Sequence, residues 1–538
     1  MTIVTVWRAV FTEVMADLAS NTYDEVSYPG RAQDQTHPDR LATIATLFGM
    51  SPAPVERCRV LELACGDGSN IVPMALCLPE SEFAGIDLAA HPIKKGRRLV
   101  EALGLKNITL HQLDLMDLPA DFGRFDYIIA HGLYSWVPPA VQDKVLLICK
   151  SRLNPHGVAY ISYNTYPGGH LRKMLREMML YHIRDLTTAQ DRINQARALA
   201  KWLTNSPSDV YQIYVKRELE RIMQHGAGYV YHDDLAGINS PAYFHQFISH
   251  AARHDLQFLS EADFSEMQYE TYPPEVTEQL RLLADQDVLA KEQYLDFLKC
   301  RSFRQTLLCH RNVSLDRSLK PERINTLYVA SHVRPVSPEL DIRSREAEEF
   351  RGPKEGVVST SYPLAKAALS HLGEIYPQSL RFDELVADAR SRLGLNSGRD
   401  GDALGEGAPT LAEILLKIYE VGLVELHQHK PRFVLEAGER PVASPLARLQ
   451  AADQEIVTTL HHSNVKMEGE LGRQLLLLLD GTRNRAALLR ELGPLMESAV
   501  ESQARDGARS ESDAPSKTLF EELEKQLNKL ARLGLLAA

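Results

Sequence analysis

Residues 60–70 read VLELACGDGSN, an apolar run that ends abruptly in a glycine-containing loop. The apolar run is typical of a buried β-strand, and the loop after it lies where many α/β proteins bind a nucleotide. Gly66 and Gly68 lack a Cβ, so the backbone can turn tightly there and approach a ligand closely. A plain strand-to-helix turn would carry the same residues, so this interpretation needs support from the rest of the chain.

The sequence around this loop alternates between apolar strands and helical patterns through residues 58–165. The apolar segments are RVLELAC, EFAGIDL, ITLHQLDL, FDYIIAHG and GVAYISYN. Strands that alternate with helices favour an α/β fold in which helices cover both faces of a parallel sheet.

The flanking regions have other patterns. Helices are expected at 6–20 and 39–49, and the segment 170–225 predicts charged helices. A polar linker is expected at 345–360. Beyond it, short amphipathic helices and a β-hairpin in GLVELHQHKPRFVLE predict winged-helix-like α+β modules, and RDGARSESDAPS predicts a flexible insertion.

Composition restricts the class of protein. The chain has 538 residues, enough for roughly two to four domains. Its hydrophobic content of 44% is typical of a globular protein, and its net charge of −11 does not favour nucleic-acid binding. The six cysteines form no CxxC pair, so no structural metal is expected. With no signal peptide and no long apolar segment, we expect a cytoplasmic protein without a membrane span.

Carboxylates follow the next two strands at informative positions. Asp87 ends FAGIDL about 20 residues after the glycines, where a carboxylate can bind both hydroxyls of a ribose. Asp114, followed by Leu115, ends the third strand, where it can receive the amine of an adenine. The pattern GxGxxG is incomplete because Ile71 replaces its third glycine. With Glu62 and Asp67 beside it, the loop suits a cationic ligand better than a polyanion.

This combination resembles the class I S-adenosylmethionine-dependent methyltransferases over about residues 55–170. The resemblance implies a Rossmann-like seven-stranded sheet and S-adenosyl-L-methionine as cofactor. The motif has Ala64 in place of its usual first glycine. The resemblance implies ten residues that would bind the methionine end, the ribose or the adenine of the cofactor, or cover it from the N-terminal loop. They are Glu62, Ala64, Gly66, Gly68, Asp87, Leu88, Asp114, Leu115, His131 and Tyr28.

A narrower resemblance covers about residues 20–320. The stretches YDEVSYPG, HGLYSWVP, ISYNTYPGGHLRKMLREMM and FRQTLLCH are similar to methyltransferases that carry a methyltransferase regulatory domain, a group that includes rickettsial protein-lysine methyltransferases. The resemblance implies a protein substrate with a lysine acceptor. It also implies four regions: an N-terminal helical lid segment at 1–54, the methyltransferase core at 55–170, a helical regulatory domain at 171–345, and a winged-helix-like domain at 361–538.

A lysine acceptor must reach the cofactor as a neutral amine, and an aromatic pocket would promote this by desolvation. Candidates follow the fourth and fifth strands, and for two of them a structural role is equally compatible with the pattern: Trp136 can begin a helix and Tyr163 can belong to the core. Tyr23, Tyr28 and His37 are candidates for a lid. The candidate catalytic residues are Tyr134, Trp136, Tyr163, Asn164 and Tyr166.

Several alternatives remain open at this point. The acceptor can be a small molecule or RNA instead of a protein, although the acidic chain disfavours RNA. A non-enzymatic interaction protein on a methyltransferase scaffold is the third alternative. A homodimer is compatible with each of these functions. The HDD sequence at 232–234 resembles a metal-binding cluster, but without further ligands at a suitable spacing we interpret it as an acidic helix N-terminus.

Overall fold

The structure is a computed structural model that describes residues 25–537 except 27, 207, 210, 354–355, 396–406 and 506–514. The predicted helix at 6–20, Tyr23 and most of the predicted flexible insertion lie outside the described residues. Among the residues that are described, no helix combines the length and apolarity that crossing a membrane requires.

A seven-stranded sheet forms the centre of the molecule, which confirms the predicted Rossmann-like fold. Its strand order is β3-β2-β1-β4-β5-β7-β6. The first five strands are parallel, as the alternating sequence predicts, but β7 runs antiparallel to both of its neighbours. The strands are β1 Arg59–Leu63, β2 Glu82–Asp87, β3 Ile108–Gln112, β4 Phe125–Ala130, β5 Leu153–Asn164, β6 Leu256–Glu261 and β7 Phe303–His310.

Helices on both faces bury the sheet, because the parallel strands are apolar on both sides. The side chains of Leu61, Ile128 and Ile161, on three adjacent strands, are all completely buried. The first helix begins with proline, and the His37 side chain caps it by accepting a hydrogen bond from the backbone N–H of Asp39. These helices are α1 Pro38–Leu47, α2 Ile71–Cys77, α3 Ala90–Ala102 and α4 Pro139–Arg152.

The middle of the chain is mainly helical, as predicted, but it is not separate from the sheet. Both β6 and β7 come from the segment 171–345 and pair beside β5, so this segment supplies two strands of the sheet. Strand pairing over such a distance leaves no local signal. The helices are α5 Gly169–His182, α6 Ala189–Thr204, α7 Lys216–Gln224, α8 Phe244–Arg253, α9 Pro274–Gln286 and α10 Val288–Lys299.

The HDD sequence is not the helix N-terminus that we expected. It ends a helical segment formed by Ala227–Tyr229 and Val230–Asp234. Asp234 accepts a hydrogen bond from Arg221 at 2.5 Å, and His232 Nε2 lies 2.7 Å from the carbonyl oxygen of Val26. These contacts join the regulatory segment to itself and to the N-terminal segment.

The C-terminal part contains two modules with separate hydrophobic cores. In the first, a three-stranded sheet packs against helices, and its strand β13 pairs with β8 instead of forming the predicted hairpin. The expected linker is also wrong, because its residues form an antiparallel sheet. The elements of this module are β8 Tyr328–Ala330, β9 Arg334–Pro335, β10 Glu348–Arg351, β11 Val357–Thr360, α11 Pro363–Ile375, β12 Leu380–Arg381, α12 Phe382–Arg392, α13 Ala408–Glu420 and β13 Glu425–His427.

The second module has the helix and two-stranded composition of a winged helix, as the sequence predicts. Its two strands pair antiparallel, and a short turn of residues 459–463 connects them. We call this segment the wing turn. The elements are α14 Pro445–Asp453, β14 Ile456–Thr458, β15 Asn464–Lys466, α15 Gly469–Leu478, α16 Arg485–Arg505 and α17 Pro515–Arg532.

Candidate functional site

The loop after β1 has the conformation that its glycines predict. Ala64, Gly66 and Gly68 adopt φ angles of 57°, 56° and 75°. A Cβ on Gly68 would lie 2.9 Å from a methyl group of Val72, so this glycine allows close packing of the loop on α2. A Cβ on Gly66 would meet nothing within 4 Å, so its backbone faces open space in which a ligand can lie. Ala64 takes the left-handed conformation despite its side chain, which is unusual for a residue other than glycine.

Asp87 ties this loop to the end of β2. Its two carboxylate oxygens accept hydrogen bonds from the backbone N–H groups of Gly66 and Ala89, both at 2.8 Å. A carboxylate oxygen can accept more than one hydrogen bond, so this position still suits the hydroxyl groups of a ribose. Leu88, which follows, is 59% exposed and forms part of the same strand end.

Glu62, on β1, is a buried acid with an unsatisfied oxygen. Its Oε1 accepts a hydrogen bond from Asn70 Nδ2 at 2.7 Å, whereas its Oε2 has no hydrogen-bond partner among the described residues. Burial raises the pKa of Glu62 to about 8, and the negative charges of Asp87 and Asp67 act in the same direction, against the Asn70 hydrogen bond. A cationic amino group beside this carboxyl would favour its ionised form and satisfy the free oxygen.

Asp67 does not contribute to ligand binding in the way that the acidic loop suggested. Its carboxylate forms an ion pair with Lys95 Nζ at 2.8 Å and accepts a hydrogen bond from the Ser69 hydroxyl. The N-terminal segment lies directly on this part of the loop, since a Cβ on Gly30 would be 2.6 Å from the Asp67 carboxylate. Asp67 therefore stabilises the loop on the side that faces the N-terminal segment.

Asp114 and Leu115 lie at the end of β3, next to the end of β2. Asp114 Oδ1 accepts a hydrogen bond from the backbone N–H of Met116 at 2.8 Å and caps the short turn Leu115–Asp117. Leu115 is half-buried against the main core. Because β1, β2 and β3 are parallel neighbours, Glu62, Asp87 and Asp114 follow successive strand ends at one edge of the sheet.

His131 follows β4 at the same edge. Its Nδ1 lies 2.9 Å from the hydroxyl of Tyr160, and its ring meets Phe303 edge-on at 6.3 Å between centroids. Burial lowers the pKa of His131 to about 4, so its imidazole is neutral at physiological pH. The neighbouring Gly132 has open space at its Cβ position, as Gly66 does. This arrangement is compatible with the predicted place of His131 beside the cofactor.

Two of the candidate catalytic tyrosines lie in the core. Tyr134 is 3% exposed, and its hydroxyl lies 2.7 Å from His250 Nδ1. Tyr163 is 1% exposed, stacks on Phe247 at 4.1 Å between ring centroids, and accepts a hydrogen bond from Thr306. Neither side chain is exposed to solvent, so their assignment as catalytic residues stays a prediction.

Trp136 ends the short turn Tyr134–Trp136 before α4 and is half-buried. A half-buried indole leaves part of its face for a ligand, so its assignment stays a prediction.

Asn164 and Tyr166 lie at the end of β5 together with residues that the sequence did not indicate. Asn164 Nδ2 donates to Asn239 Oδ1 at 3.1 Å. Tyr166 stacks on His170 at 4.0 Å between ring centroids and lies 5.2 Å from the ring of Tyr243. Asn239 and Tyr243 come from the regulatory segment, whose path across this strand end has no local sequence signal.

The two described lid candidates have different environments. The Tyr28 ring packs on Tyr229 at 5.2 Å and on His232 at 5.8 Å, which holds the N-terminal segment against the regulatory segment. His37 caps α1, and its ring lies 5.1 Å from the ring of His462. Tyr28 remains a predicted cofactor-covering residue, whereas His37 has a structural role.

These residues fit S-adenosylmethionine. Glu62 has an unsatisfied buried oxygen for a cationic amino group, Asp87 has a carboxylate for a ribose, and Gly66 and Gly132 leave space along the edge. The set lacks a phosphate-binding environment, because its charged members at the strand ends are acidic. A positively charged adenosine compound is therefore the ligand that this edge favours.

Comparisons with known proteins agree with this geometry. Residues 60–157 match the family "Methyltransferase domain", residues 226–310 match "Predicted methyltransferase regulatory domain", and residues 439–535 match "PKMT, C-terminal winged helix domain". The second match contains both β6 and β7, so the regulatory region and the sheet are structurally continuous.

Relatives extend the likeness over most of the chain. An uncharacterized protein of Rickettsia prowazekii is 33% identical over 520 residues, which are 95% of this chain and 91% of that protein. A second one from the same organism is 38% identical over 241 residues, covering 44% of this chain and 96% of that protein. The solved structure of PKMT2 from Rickettsia typhi in complex with AdoHcy has a TM-score of 0.80 at 28% identity, with 95% of this chain and 100% of that chain covered.

AdoHcy is the product that remains when S-adenosylmethionine has given up its methyl group, so the related fold binds the ligand class that this edge favours. The chain belongs to the family of S-adenosylmethionine-dependent methyltransferases that join a methyltransferase domain to a methyltransferase regulatory domain and a PKMT winged-helix domain.

Proposed function

We propose that this enzyme methylates the side-chain amine of lysine in a protein substrate. The observation that carries the proposal is the likeness to PKMT2, a protein-lysine methyltransferase, over 95% of the chain. That likeness includes the regulatory segment and the C-terminal modules, which a small acceptor would not require. The match of residues 439–535 to the winged-helix domain of PKMT proteins supports the same acceptor class.

The chemistry sets a requirement for the acceptor. S-adenosylmethionine, when bound, supplies an electrophilic methyl group on a positively charged sulfur. A lysine amine has a pKa near 10.4 in water, so presenting it in neutral form at pH 7 costs about 5 kcal/mol. Removing the amine from water lowers its pKa, because burial disfavours the charged form.

The residues at the end of β5 can meet this requirement. Tyr166, His170 and Tyr243 form an aromatic cluster beside the strand end, which would desolvate the amine and accept a methylated ammonium by cation–π attraction. Asn164 uses its Nδ2 for Asn239, so its Oδ1 is the atom that would accept an N–H of the amine and align it. His131 is neutral and adds no positive charge to repel the substrate.

The test is transfer of a labelled methyl group from S-adenosylmethionine into an extract, followed by acid hydrolysis and separation of the amino acids. We expect the label in methylated lysine. Tyr166→Ala should lower incorporation at least tenfold at saturating cofactor while leaving cofactor binding unchanged. Tyr181→Ala is the matched control, since Tyr181 lies on the helix that follows Tyr166 and is 71% exposed.

Other outcomes would contradict the proposal. Label that is released by nuclease treatment would indicate RNA as the acceptor, and label found only in small molecules would indicate a metabolite. Equal incorporation by wild type and Tyr166→Ala would remove the aromatic cluster from the acceptor site without affecting the methyltransferase assignment.

A further inference from the structure

The wing turn of the C-terminal winged helix reaches the cofactor motif of the methyltransferase core. Its residue His462 is 4% exposed and adopts a left-handed conformation with φ of 62°. His462 Nε2 lies 3.1 Å from Asn70 Oδ1, across 392 residues of sequence. Hydrogen bonds between Thr459 and Ser463, through backbone and side-chain atoms, close the turn.

Asn70 connects His462 to the site. Its Oδ1 accepts a hydrogen bond from the backbone N–H of Gln33 at 2.8 Å, and its Nδ2 donates to Glu62 Oε1 at 2.7 Å. Since a backbone N–H can only donate, the Gln33 contact fixes which end of the Asn70 amide is the oxygen. The amide therefore presents Nδ2 to Glu62, and His462 must donate from Nε2.

Further contacts hold the wing turn and its flanking strand in this place. Asn464 Nδ2 donates to the carbonyl oxygen of Ala32 at 2.7 Å, and Cys77 Sγ donates to the carbonyl oxygen of Leu460 at 3.4 Å. The N-terminal segment is thus clamped between the wing turn and the loop after β1. Docking of the winged helix therefore coincides with ordering of the groups that surround Glu62.

We propose that His462 is a positioning residue for cofactor binding, and that docking of the wing turn sets the affinity of the enzyme for S-adenosylmethionine. The N–H of His462 holds the Asn70 oxygen, so the Asn70 amide is locked and keeps Glu62 oriented toward the strand ends. When the wing turn undocks, Asn70 loses this donor, and the N-terminal segment, whose Gln33 and Thr36 also hold the Asn70 amide, loses its contact with Asn464. Glu62 is then oriented less firmly. The inference concerns the cofactor and does not depend on which acceptor is methylated.

Two substitutions in the full-length chain separate the hydrogen bond from packing. The amide nitrogen of His462→Gln takes the place of Nε2 and can still reach Asn70. In His462→Asn the amide takes the place of Nδ1, so the side chain is too short to reach Asn70, although asparagine tolerates the left-handed backbone well. We expect His462→Asn to weaken cofactor binding about tenfold and His462→Gln to restore it to within about threefold of wild type.

The control is His461→Asn, since the ring of the neighbouring His461 packs on Gly534 and Phe433, and no hydrogen bond joins it to Asn70 among the described residues. Calorimetric titration with AdoHcy measures the affinity, and thermal unfolding measures the stability. For His462→Asn, steady-state kinetics should show a raised KM for S-adenosylmethionine with kcat changed less than twofold. The proposal is overturned if both histidine-to-asparagine variants lower the melting temperature and neither changes cofactor affinity. Equal affinities of His462→Asn and His462→Gln would exclude the hydrogen bond as the cause.

A second, independent feature lies between α4 and α8. Asp143 Oδ1 is 3.3 Å from His250 Nε2 and 2.9 Å from His254 Nε2, and the three potential ligand atoms lie within 4.8 Å of one another. His250 lies on α8 and His254 is the residue that caps its C-terminus, so the two side chains are about one helical turn apart. The opposite nitrogen of His250 contacts the Tyr134 hydroxyl at 2.7 Å, as the second nitrogen of a metal-binding histidine commonly contacts a polar group.

From this geometry we infer a binding site for a divalent transition-metal ion such as Zn²⁺, with two imidazole nitrogens and one carboxylate oxygen as protein ligands. This ligand set suits zinc and leaves a fourth position for water. Asp143 is 58% exposed, so the ion can enter from solvent, whereas the positive charge of Arg253 beside His250 opposes binding. Bound metal would join α4 to the regulatory segment next to the Tyr134 turn.

Titration of the full chain with Zn²⁺, and the visible spectrum with Co²⁺, test this site. We expect binding of one ion per chain with a dissociation constant in the micromolar range or below, and a tetrahedral cobalt spectrum. His254→Ala should weaken binding at least a hundredfold, whereas His156→Ala, which removes an exposed histidine at the start of β5, should not. Weak binding that is the same in wild type and His254→Ala would contradict a metal site and show that the three residues are joined by hydrogen bonds alone.

Discussion

Cofactor binding should release a proton from Glu62. The pKa of this carboxyl is raised to about 8, chiefly by burial, so Glu62 is mostly protonated in the ligand-free protein at pH 7. The amino group that the site favours is cationic and attracts the ionised form of Glu62. Binding and ionisation are therefore linked, and each makes the other more favourable.

The size of the effect follows from the pKa. A carboxyl of pKa about 8 is ionised to about 1% at pH 6 and about 10% at pH 7. If the cofactor binds only the ionised form, its affinity rises about tenfold between pH 6 and 7, or about 1.4 kcal/mol, and levels off above pH 8. An α-amino group titrates near 7.7–8.0 and stays mainly protonated over this window, so it contributes little to the slope.

Isothermal titration with AdoHcy at pH 6.0, 6.5 and 7.0 measures this linkage. Repeating each titration in buffers of different ionisation enthalpy counts the protons, and nearly one should be released per ligand bound. The control is Glu62→Gln, which keeps an oxygen for Asn70 but has no charge. It should bind more weakly than wild type at pH 7, with little dependence on pH. A flat wild-type affinity without proton release would refute the reasoning.

The same carboxyl affects the stability of the ligand-free protein. Its folded-state pKa of about 8 exceeds its usual 4.5, so the folded chain retains a proton that the unfolded chain loses. The stability that this group contributes is fully present below pH 4.5 and is lost as pH rises toward 8. At pH 7 the loss is about 3 kcal/mol. Glu62→Gln should therefore raise the melting temperature at pH 7, and this gain should vanish near pH 4.5.

Other substitutions test separate parts of the structure. Gly66→Ala should weaken cofactor binding more than tenfold, because the new methyl group fills ligand space. Gly104 has a similar φ of 65° and equally open surroundings, so Gly104→Ala should add only about 1 kcal/mol of backbone strain. Titration with cofactor and urea unfolding distinguish the two effects. Asp87→Asn should keep the protein folded but weaken cofactor binding at least tenfold, because one oxygen acceptor and the charge are lost; unchanged affinity would contradict its ribose role. Asp39 accepts hydrogen bonds from His427 and the two following backbone N–H groups, so Asp39→Asn should lower the free energy of unfolding by about 2–4 kcal/mol in urea titrations.

The sequence alone was sufficient for the parts of the site that are built from local patterns. Apolar strands that alternate with helices predicted the first five strands, and the glycines and Asp87 marked the strand ends at which we expect the ligand. Parallel strands place their carboxyl ends at one edge, so residues far apart in sequence could be assigned to one site without a structure. The resemblance to regulatory-domain methyltransferases supplied the proposed acceptor class, which local patterns do not contain.

Local patterns are insufficient where burial and pairing decide the environment of a side chain. Tyr134 and Tyr163 have the right type and position for an acceptor pocket, yet the packing of Phe247 against both rings places them in the core. The expected hairpin failed because Leu426 pairs with Val329 of β8, a strand nearly a hundred residues earlier. An apolar or alternating pattern shows that a residue is suited to burial, but it does not show which partner covers it.

The sequence by itself determined the fold class, the cofactor motif and the chemistry of its ligand, because these depend on contacts within single strand-loop-helix units. Tertiary structure decided that β6 and β7 complete the sheet, that Asn239 and Tyr243 lie beside the end of β5, and that His462 reaches Asn70. Those contacts arise only when the chain folds back on itself, and their stability comes from burying both partners together. The sequence alone does not show which distant residues will pair in this way.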